Sequence, residues 1–257
     1  GGCGLRKIAK VLPGGEAPDR DTQFCHMGTL IDEYLNAGLP VLSMDTKKKE
    51  FLGNLYRNGR VYSNQSLKAF DHDFPSWADG MIVPHGLYDV GRNEGWLHLG
   101  LSRDTSEFAC DSLRLWLQDA WHLYPSMDEF LLVCDGGGSN GSRTYIFKQD
   151  LQDLVNEMGI CIRVAHYPPY CSKYNPIERR LFSQVTRACQ GVLFDSLSTV
   201  VSLMSRTSTR TGLRVTVRVL EKIYETGRKA TESFKANMPI EFDEILPRPN
   251  YRLAPQI

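Results

Sequence analysis

The stretch from His166 to Arg180 constrains the fold more than any other part of the sequence. It combines a short apolar segment, two consecutive prolines and an Asn-Pro pair. Pro168-Pro169 must end a strand over Ile162 to Tyr167, because neither ring nitrogen can donate to a neighbouring strand. Asn175 suits the position before a helix and Pro176 suits the first helical position. The stretch therefore predicts a strand, a tight turn and a helix.

Glu178 falls in the first turn of this predicted helix, directed back toward the end of the strand. A carboxylate at that position is stabilised by the positive end of the helix dipole. A single glutamate there most often has only this role. Two further carboxylates, at the ends of predicted strands, give Glu178 a second interpretation.

Two apolar runs upstream, Val41 to Asp45 and Phe130 to Asp135, each end on an aspartate. Apolar runs of this length are typical of buried central strands. A carboxylate at the end of such a strand is costly to bury unless it holds a cation or accepts from a strong donor. Two strand-end carboxylates and one at a helix start form an all-oxygen ligand set that suits Mg²⁺ or Mn²⁺. We therefore predict that Asp45, Asp135 and Glu178 meet around two divalent ions.

The composition is that of an ordinary globular protein. Of the 257 residues, 42% are hydrophobic and 23% are charged, which is enough to bury a core. The 30 basic and 30 acidic residues give a formal net charge of zero, so affinity for nucleic acid must come from local clusters. The seven cysteines include no C-x-x-C pair, which favours reduced thiols. No apolar run could span a membrane and no signal peptide opens the chain, so we expect a cytoplasmic protein.

The rest of the sequence alternates strands with helices. Two alternating segments, residues 80–90 and 95–101, predict a hairpin beside the strand of Asp45. The β-branched alternation from Leu213 to Val219 predicts a further strand. Helical spacing of apolar residues extends over residues 21–37, 105–123, 145–158 and 196–205. This order predicts an α/β fold, a mixed sheet flanked by helices on both faces.

Polar loops beside the predicted acids offer contacts to a nucleic-acid backbone. Lys47 and Lys48 follow Asp45 and would hold phosphates, whereas Lys49 is expected to be solvated. The glycine-rich loop after Asp135 has neither the Gly-Lys-Ser/Thr ending of a P-loop nor the spacing of a dinucleotide site. Its interleaved polar residues are nevertheless suited to phosphate contacts. The predicted nucleic-acid contacts are Lys47, Lys48, Ser139, Asn140, Arg143, Lys173 and Asn175.

Several motifs together resemble a known family. The order Asp, Asp, Glu, with the last acid in Pro-Pro-Tyr followed by Asn-Pro-Ile-Glu, resembles the DDE transposases of bacterial insertion sequences and their mariner-type relatives. Ser43 to Glu50, Asn93 to Trp96, Asp135 to Arg143 and Thr209 to Leu213 are similar to the ISAzo-type insertion-sequence family in particular. The similarity covers residues 18–227, whereas the segment after residue 227 fits the family poorly.

The resemblance implies an RNase H-like fold of the retroviral integrase and DDE transposase type. It also implies an enzyme that cuts DNA at element ends and transfers the strands into target DNA, with two Mg²⁺ or Mn²⁺ ions. In this interpretation Asp45, Asp135 and Glu178 are both the catalytic and the metal-binding residues. The implied partners are DNA and, because two element ends must be held together, a second copy of the chain during joining.

Two alternatives remain open. One is an RNase H-like nuclease without strand transfer. The other is an inactive or domesticated transposase remnant that only binds DNA, which the neutral net charge and the lack of a recognition module before residue 18 support.

The sequence predicts three parts of unequal size. Residues 1–20, which are punctuated by Gly and Pro, are expected to be a linker or terminal remnant. Residues 21–227 form the expected catalytic domain, in which polar residues 51–79 are an insertion. An Asp-His-Asp triplet at 71–73 could imitate a metal site, but no predicted strand or helix aims it, so we assign it a structural role. Residues 228–257 are expected to be a poorly packed C-terminal tail.

Overall fold

The computed structural model of the chain describes residues 19–56, 80–137 and 140–256. The strands within these ranges are β1 (Val41–Thr46), β2 (Glu50–Leu52), β3 (Gly80–Asp89), β4 (Glu94–Gly100), β5 (Glu129–Cys134), β6 (Cys161–His166), β7 (Arg214–Leu220), β8 (Ile240–Phe242) and β9 (Asn250–Leu253). The helices are α1 (Arg20–Asn36), α2 (Ser106–Ala120), α3 (Tyr145–Met158), α4 (Ser183–Ala188), α5 (Leu197–Ser205) and α6 (Glu232–Ala236). A π-helical turn, Glu178–Phe182, leads directly into α4.

The strands form one mixed sheet in the order β7-β4-β3-β1-β5-β6-β9-β8, with β2 paired to β3. The central part is an antiparallel meander of β1, β3 and β4, continued on the other side of β1 by the parallel strands β5 and β6. Because β1 and β5 are central, both of their faces are covered, and this explains their continuous apolar sequences. The predicted mixed sheet is confirmed.

The register of the central strands brings their carboxyl ends to one edge, called here the acidic lip. β1 and β5 run parallel with Met44 opposite Cys134, so Asp45 and Asp135 follow at the same end of neighbouring strands. β6 is parallel to β5, with His166 opposite Cys134. The turn after β6 therefore also starts at the acidic lip.

Helices cover both faces of the sheet. Alternate residues of β1 belong to different clusters, since Leu42 packs with α2 and α3 whereas Val41 packs with α1. This division follows from the period of two along a strand. The helix that begins near Glu178 packs with α5 on β3, β4 and β7, through an apolar stripe that includes Leu181, Phe182 and Val185.

Two glycines let this helix lie directly on the hairpin of β3 and β4. A Cβ atom on Gly86 would stand 2.5 Å from Cε1 of Phe182, and a Cβ atom on Gly95 would stand 2.6 Å from Cδ1 of Leu181. Both distances are too short for real carbon contacts, so a side chain at either glycine would force Phe182 or Leu181 to shift from its present position on the sheet. The two glycines therefore set how closely Glu178 approaches the sheet.

The expectation of a poorly packed tail after Gly227 is wrong. β9 pairs antiparallel with β6, and β8 pairs with β9. Tyr251 and Leu253 are fully buried in the main core. The physical reason is that β6 would otherwise be an uncovered edge strand beside the acidic lip, and the C-terminal segment satisfies its backbone.

The other predicted parts fall largely outside the described ranges. Residues 1–18 of the predicted linker and residues 57–79 of the predicted insertion, which include the Asp-His-Asp triplet at 71–73, are not among the described residues. The described start of the insertion contains β2, which pairs with β3. None of the described helices is both long enough and apolar enough to cross a membrane.

Candidate active site

The structure brings the three predicted acids to the acidic lip. Asp45 is the fifth residue of β1, Asp135 directly follows β5, and Glu178 begins the π-helical turn. Helical backbone starts at Pro176, so Glu178 lies in the first turn of the helix, as its sequence predicts. All three side chains are half-buried.

The three carboxyl groups act on one another. The pKa of Asp45 is raised from 3.8 to about 7, first by burial and then by the negative charges of Asp135 and Glu178. A hydrogen bond with the Glu178 carboxyl also raises it, whereas the Thr46 backbone N–H, 2.7 Å from Oδ1 of Asp45, acts in the opposite direction. The pKa of Asp135 is likewise raised, by burial and by the charge of Glu178. The charges that act on Asp45 are both negative, so this site gains from a bound cation.

The donor atoms fit a divalent cation, although the side chains do not close around one. All three ligands would be carboxylate oxygens, which are the donors that Mg²⁺ and Mn²⁺ prefer. As the side chains are placed, no group of three or more His, Cys, Asp or Glu residues in the described part of the chain is arranged to hold a metal ion.

A buried Ser-Asn pair fixes the backbone around the acids. Nδ2 of Asn175 donates to the Met44 carbonyl at 3.2 Å and to Oδ1 of Asp135 at 3.3 Å, and its Oδ1 accepts from the Ser43 hydroxyl. The same hydroxyl oxygen accepts from the Ile177 N–H at 3.0 Å. Ser43, from β1, thus fills the capping role that the sequence predicts for Asn175. The pair joins β1, the end of β5 and the start of the Glu178 helix.

Asn175 is corrected from a predicted nucleic-acid contact to a positioning residue. Its side chain is fully buried and all of its hydrogen bonds are made within the protein core. Side-chain amides in turns often reach solvent, and the sequence carries no signal that this one faces Ser43, which is 132 residues away.

A fourth carboxylate, which sequence reasoning missed, lies beside the acids. A cavity of about 130 Å³ is lined by Asp45, Asp135 and Asp104, together with Met44, Thr46, Cys134, Gly137 and Asn140. Oδ1 of Asp104 accepts from the Thr46 hydroxyl at 3.1 Å, and burial raises the pKa of Asp104. β4 runs parallel to β1 because both pair antiparallel with β3. The predicted hairpin could therefore have placed the residues after β4 at the acidic lip.

The predicted lysine contacts lie in different environments. Lys47 forms an ion pair with Glu50 and is mostly buried, whereas Lys48 is exposed. Lys173 is exposed, and its ammonium lies 4.9 Å from the centre of the Tyr174 ring. All three remain predicted nucleic-acid contacts.

The predicted nucleic-acid contacts of the glycine-rich loop lie in different places. Asn140 lines the cavity beside Asp45 and Asp135, whereas Arg143 is exposed and lines a neighbouring groove. Ser139 lies outside the described residues. Asn140 and Arg143 also remain predicted contacts.

The fold and the acidic lip define a class of proteins. A mixed sheet with these three acids at the ends of two central strands and at a helix start has the RNase H-like architecture of DDE transposases, which are polynucleotidyl transferases and endonucleases. The chain belongs to the family described as the Rhodopirellula transposase DDE domain, whose model matches residues 1–255. The resemblance seen in the sequence is thus confirmed. The match extends beyond residues 18–227 and includes the C-terminal strands. No curated protein matches the chain.

Solved structures with a similar fold are transposases. The chain resembles the Mos1 transposase paired-end complex with left transposon end, at 14% identity and a TM-score of 0.51, covering 77% of this chain and 56% of that one. It resembles the pre-cleavage Mos1 transpososome at 13% identity and a TM-score of 0.51, covering 77% of this chain and 57% of that one. It also resembles the mariner Mos1 paired end complex with Mg, at 15% identity and a TM-score of 0.50, covering 77% of this chain and 57% of that one. The chain therefore spans little more than half the length of these proteins.

Proposed function

We propose that this domain cleaves DNA at the ends of a mobile element and transfers the freed strands into target DNA. The observation that carries the proposal is the convergence of Asp45, Asp135 and Glu178 at the acidic lip. Burial first, and then the negative charges of Asp135 and Glu178, raise the pKa of Asp45 to about 7. Surplus negative charge of this kind is what a divalent-ion site for phosphoryl transfer requires.

The roles of the chain's own residues follow from their positions. Asp45, Asp135 and Glu178 would hold two Mg²⁺ or Mn²⁺ ions. When bound, two such ions lower the pKa of an attacking water or 3′-OH and stabilise the leaving 3′ oxygen of the phosphodiester. Near neutral pH the Asp45 carboxyl would have to release its proton in order to bind a cation. Asn175 holds Asp135 in place, and Ser43 holds the start of the Glu178 helix.

DNA is the proposed partner. The similar Mos1 structure is a complex with a transposon end, and several polar and basic side chains surround the acidic lip of this chain. We also propose that two copies of the chain act together during joining, since two element ends must be held at once, and that the reaction takes place in the cytoplasm. A mass measurement by light scattering, with and without element-end duplexes, tests the dimer.

The decisive experiment removes one charge at a time without changing side-chain shape. Asp135→Asn and Glu178→Gln are incubated with Mg²⁺ and a duplex that carries the element end, and nicked product is measured. We expect both variants to lose detectable nicking and to keep the wild-type circular dichroism spectrum. Asp128→Asn, at an exposed residue, is the matched control and should nick normally. Near wild-type nicking by Asp135→Asn or Glu178→Gln would refute the assignment.

A second assay separates strand transfer from simple cleavage. Pre-nicked element ends with free 3′-OH groups are offered together with target plasmid, and joined product is measured. A nuclease would nick intact ends yet produce no joined DNA, whereas a transposase produces both. A remnant that only binds DNA would produce neither.

A further inference from the structure

The C-terminal segment forms a rigid turn beside the acidic lip. Between β8 and β9, Leu246 adopts a left-handed backbone with φ of 51°. Arg248 lies between two prolines, Pro247 and Pro249. The side chain of Asn250 donates to the carbonyls of Ile245 and Leu246, both at 3.1 Å. The prolines and these hydrogen bonds restrict the turn before any ligand arrives.

This turn is also anchored to the rest of the domain. The Asn250 amide pairs reciprocally with the Gln23 amide of α1, each hydrogen bond measuring 2.7 Å. Nε2 of Gln23 also donates to the carbonyl of His166, and the N–H of His166 donates to the carbonyl of Pro249 at 3.0 Å. Because Gln23 and Asn250 are buried, the turn is fixed to both α1 and β6. Arg248 is thus held at a defined place while its side chain stays exposed.

Arg248 meets two other basic residues around one cavity. The cavity measures about 430 Å³ and is lined by Ser142, Arg143, Tyr145, Lys148 and Arg248. It lies at the start of α3, whose preceding residue Thr144 makes no side-chain cap and whose first turn holds no acidic residue. The positive end of α3 therefore adds to the three side-chain charges.

Lys148 is an unusual lining residue because it is only 6% exposed. Its Nζ donates to the Ser142 carbonyl at 2.8 Å and lies 5.0 Å from the centre of the Tyr251 ring. Burial and the neighbouring charge of Arg248 lower its pKa. Among the described residues, no carboxylate forms an ion pair with Arg143, Lys148 or Arg248. A buried ammonium without a carboxylate partner is costly unless an anion compensates it.

The cavity shares lining residues with a groove that includes the residue after Asp135. The groove measures about 780 Å³ and shares Ser142, Arg143 and Arg248 with the smaller cavity. Its lining also includes Gly136, which follows Asp135, and the turn at Pro168-Pro169. Its charged lining residues are Arg20, Arg143, Arg248 and one carboxylate, Asp19.

We propose that Arg143, Lys148 and Arg248 bind a backbone phosphate of the DNA strand whose neighbouring phosphodiester lies at the acidic lip. The inference rests on the proposed function and adds a specific contact site to it. A phosphodiester matches the site because it is anionic, because guanidinium and ammonium groups are its usual partners, and because its chain continues along the groove. The C-terminal turn supplies Arg248, so this segment takes part in holding the substrate.

The test measures how DNA binding depends on salt, without catalysis. Arg248→Gln and Arg143→Gln are each made in an Asp135→Asn background, and binding to a 30-bp duplex is measured in EDTA over a range of NaCl concentrations. We expect each variant to bind several-fold more weakly and to reduce the slope of log K against log salt by about one, as for the loss of one phosphate contact. Arg206→Gln is the matched control, since Arg206 is exposed and follows α5, which contacts β7 at the opposite edge of the sheet.

The outcomes separate this inference from the proposed function. If Arg248→Gln and Arg143→Gln keep the affinity and slope of Arg206→Gln, the phosphate site is refuted, even though the wild-type protein still cleaves element ends. A second arm adds inorganic phosphate to the wild-type protein. In one outcome, phosphate stabilises the wild-type protein against heat but not Arg248→Gln, while the slopes of log K against log salt for Arg248→Gln and Arg143→Gln equal that of the control. This result would assign the pocket to a free anion and overturn the DNA contact.

Discussion

Nδ2 of Asn175 lies 3.3 Å from Oδ1 of Asp135, and this hydrogen bond connects the second acid to the turn that carries the third. The same amide nitrogen donates a hydrogen bond to the carbonyl of Met44, the residue before Asp45. One buried side chain therefore sets the relative positions of three segments that are distant in the sequence. Its effect is both structural and electrostatic, because its hydrogen bond opposes the rise in the pKa of Asp135.

Replacing this amide should weaken both the fold and the site. Asn175→Ala removes the acceptor of the buried Ser43 hydroxyl and a donor to the Met44 carbonyl, and the loss of a partner costs about 1–3 kcal/mol for a buried polar group. Urea unfolding should show this loss, and element-end nicking should fall with it. Asn237→Ala is the control, since Asn237 is exposed and donates only to a carbonyl of its own helix. Equal unfolding free energies for the two variants would contradict the role given to Asn175.

The close packing of the Glu178 helix on the sheet gives a second prediction. Gly86→Ala introduces a methyl group 2.5 Å from Phe182, and overpacking of this kind costs about 1–3 kcal/mol. Because Ile177 and Phe182 are the two residues met and both lie on the helix of Glu178, we expect relief of the clash to displace this helix, so nicking should fall more than stability alone explains. Gly137→Ala serves as the control, because a Cβ atom there meets nothing within 4 Å although Gly137 lines the acidic cavity. Normal nicking by Gly86→Ala would show that this packing does not position Glu178.

A third prediction concerns the acidic lip without metal. The folded protein keeps a proton on Asp45 up to about pH 7, whereas its ordinary pKa is 3.8. Between these values the folded state binds more protons than the unfolded state, so the free energy of unfolding falls as pH rises through this window. In EDTA at pH 8, Asp45→Asn should therefore be more stable than wild type, on the order of 1–3 kcal/mol. The difference should vanish near pH 4, below which Asp45 is protonated in both states.

The same comparison with Mn²⁺ tests cation binding. Wild-type protein should gain stability from Mn²⁺ at pH 8, whereas Asp45→Asn should gain little, and wild type should gain little at pH 5. Asp128→Asn should respond to Mn²⁺ as wild type does. Equal stabilisation of Asp45→Asn and wild type would place the cation elsewhere.

A buried histidine pair gives the opposite pH dependence. His85 and His98 face each other on β3 and β4, and burial lowers their pKa values to about 3 and about 4. Below pH 6.5 the unfolded chain binds protons that these folded residues cannot take up. The free energy of unfolding contributed by the pair therefore falls as pH drops from 6.5 toward 4, on the order of 1 kcal/mol per pH unit for each histidine.

His98→Leu should remove part of this acid sensitivity. In the described structure the ring nitrogens of both histidines make no hydrogen bonds, so a leucine leaves no polar partner unpaired. Urea unfolding of wild type and His98→Leu at pH 7 and pH 4.5 should show a smaller loss of stability in the variant. Identical losses would mean that His98 is protonated in the folded state.

Local sequence predicted the elements that carry the acids because each has a strong local signal. Asp45 and Asp135 end continuous apolar runs, and Pro176 marks the start of the helix of Glu178. What the sequence did not predict depends on contacts between distant segments. Asp104 reaches the acidic lip only because β4 lies parallel to β1 across β3. Asn175 is buried only because Ser43 faces it from another strand.

The C-terminal strand is the clearest case of this limit. β9 is four residues long, and its sequence Asn-Tyr-Arg-Leu has no strong strand pattern. It forms because β6 offers an open edge and because Asn250 pairs with Gln23 of α1. Pairing of this kind is decided by the partner's backbone and so cannot be seen in a short polar segment.

The position of β9 also affects how the domain would behave without it. A chain shortened at Gly227 would present the unpaired backbone of β6 to solvent, next to the apolar residues that now cover Tyr251 and Leu253. Such an edge can recruit the same strand from another molecule. Trimming the last thirty residues would thus turn a self-contained sheet into one prone to intermolecular strand addition.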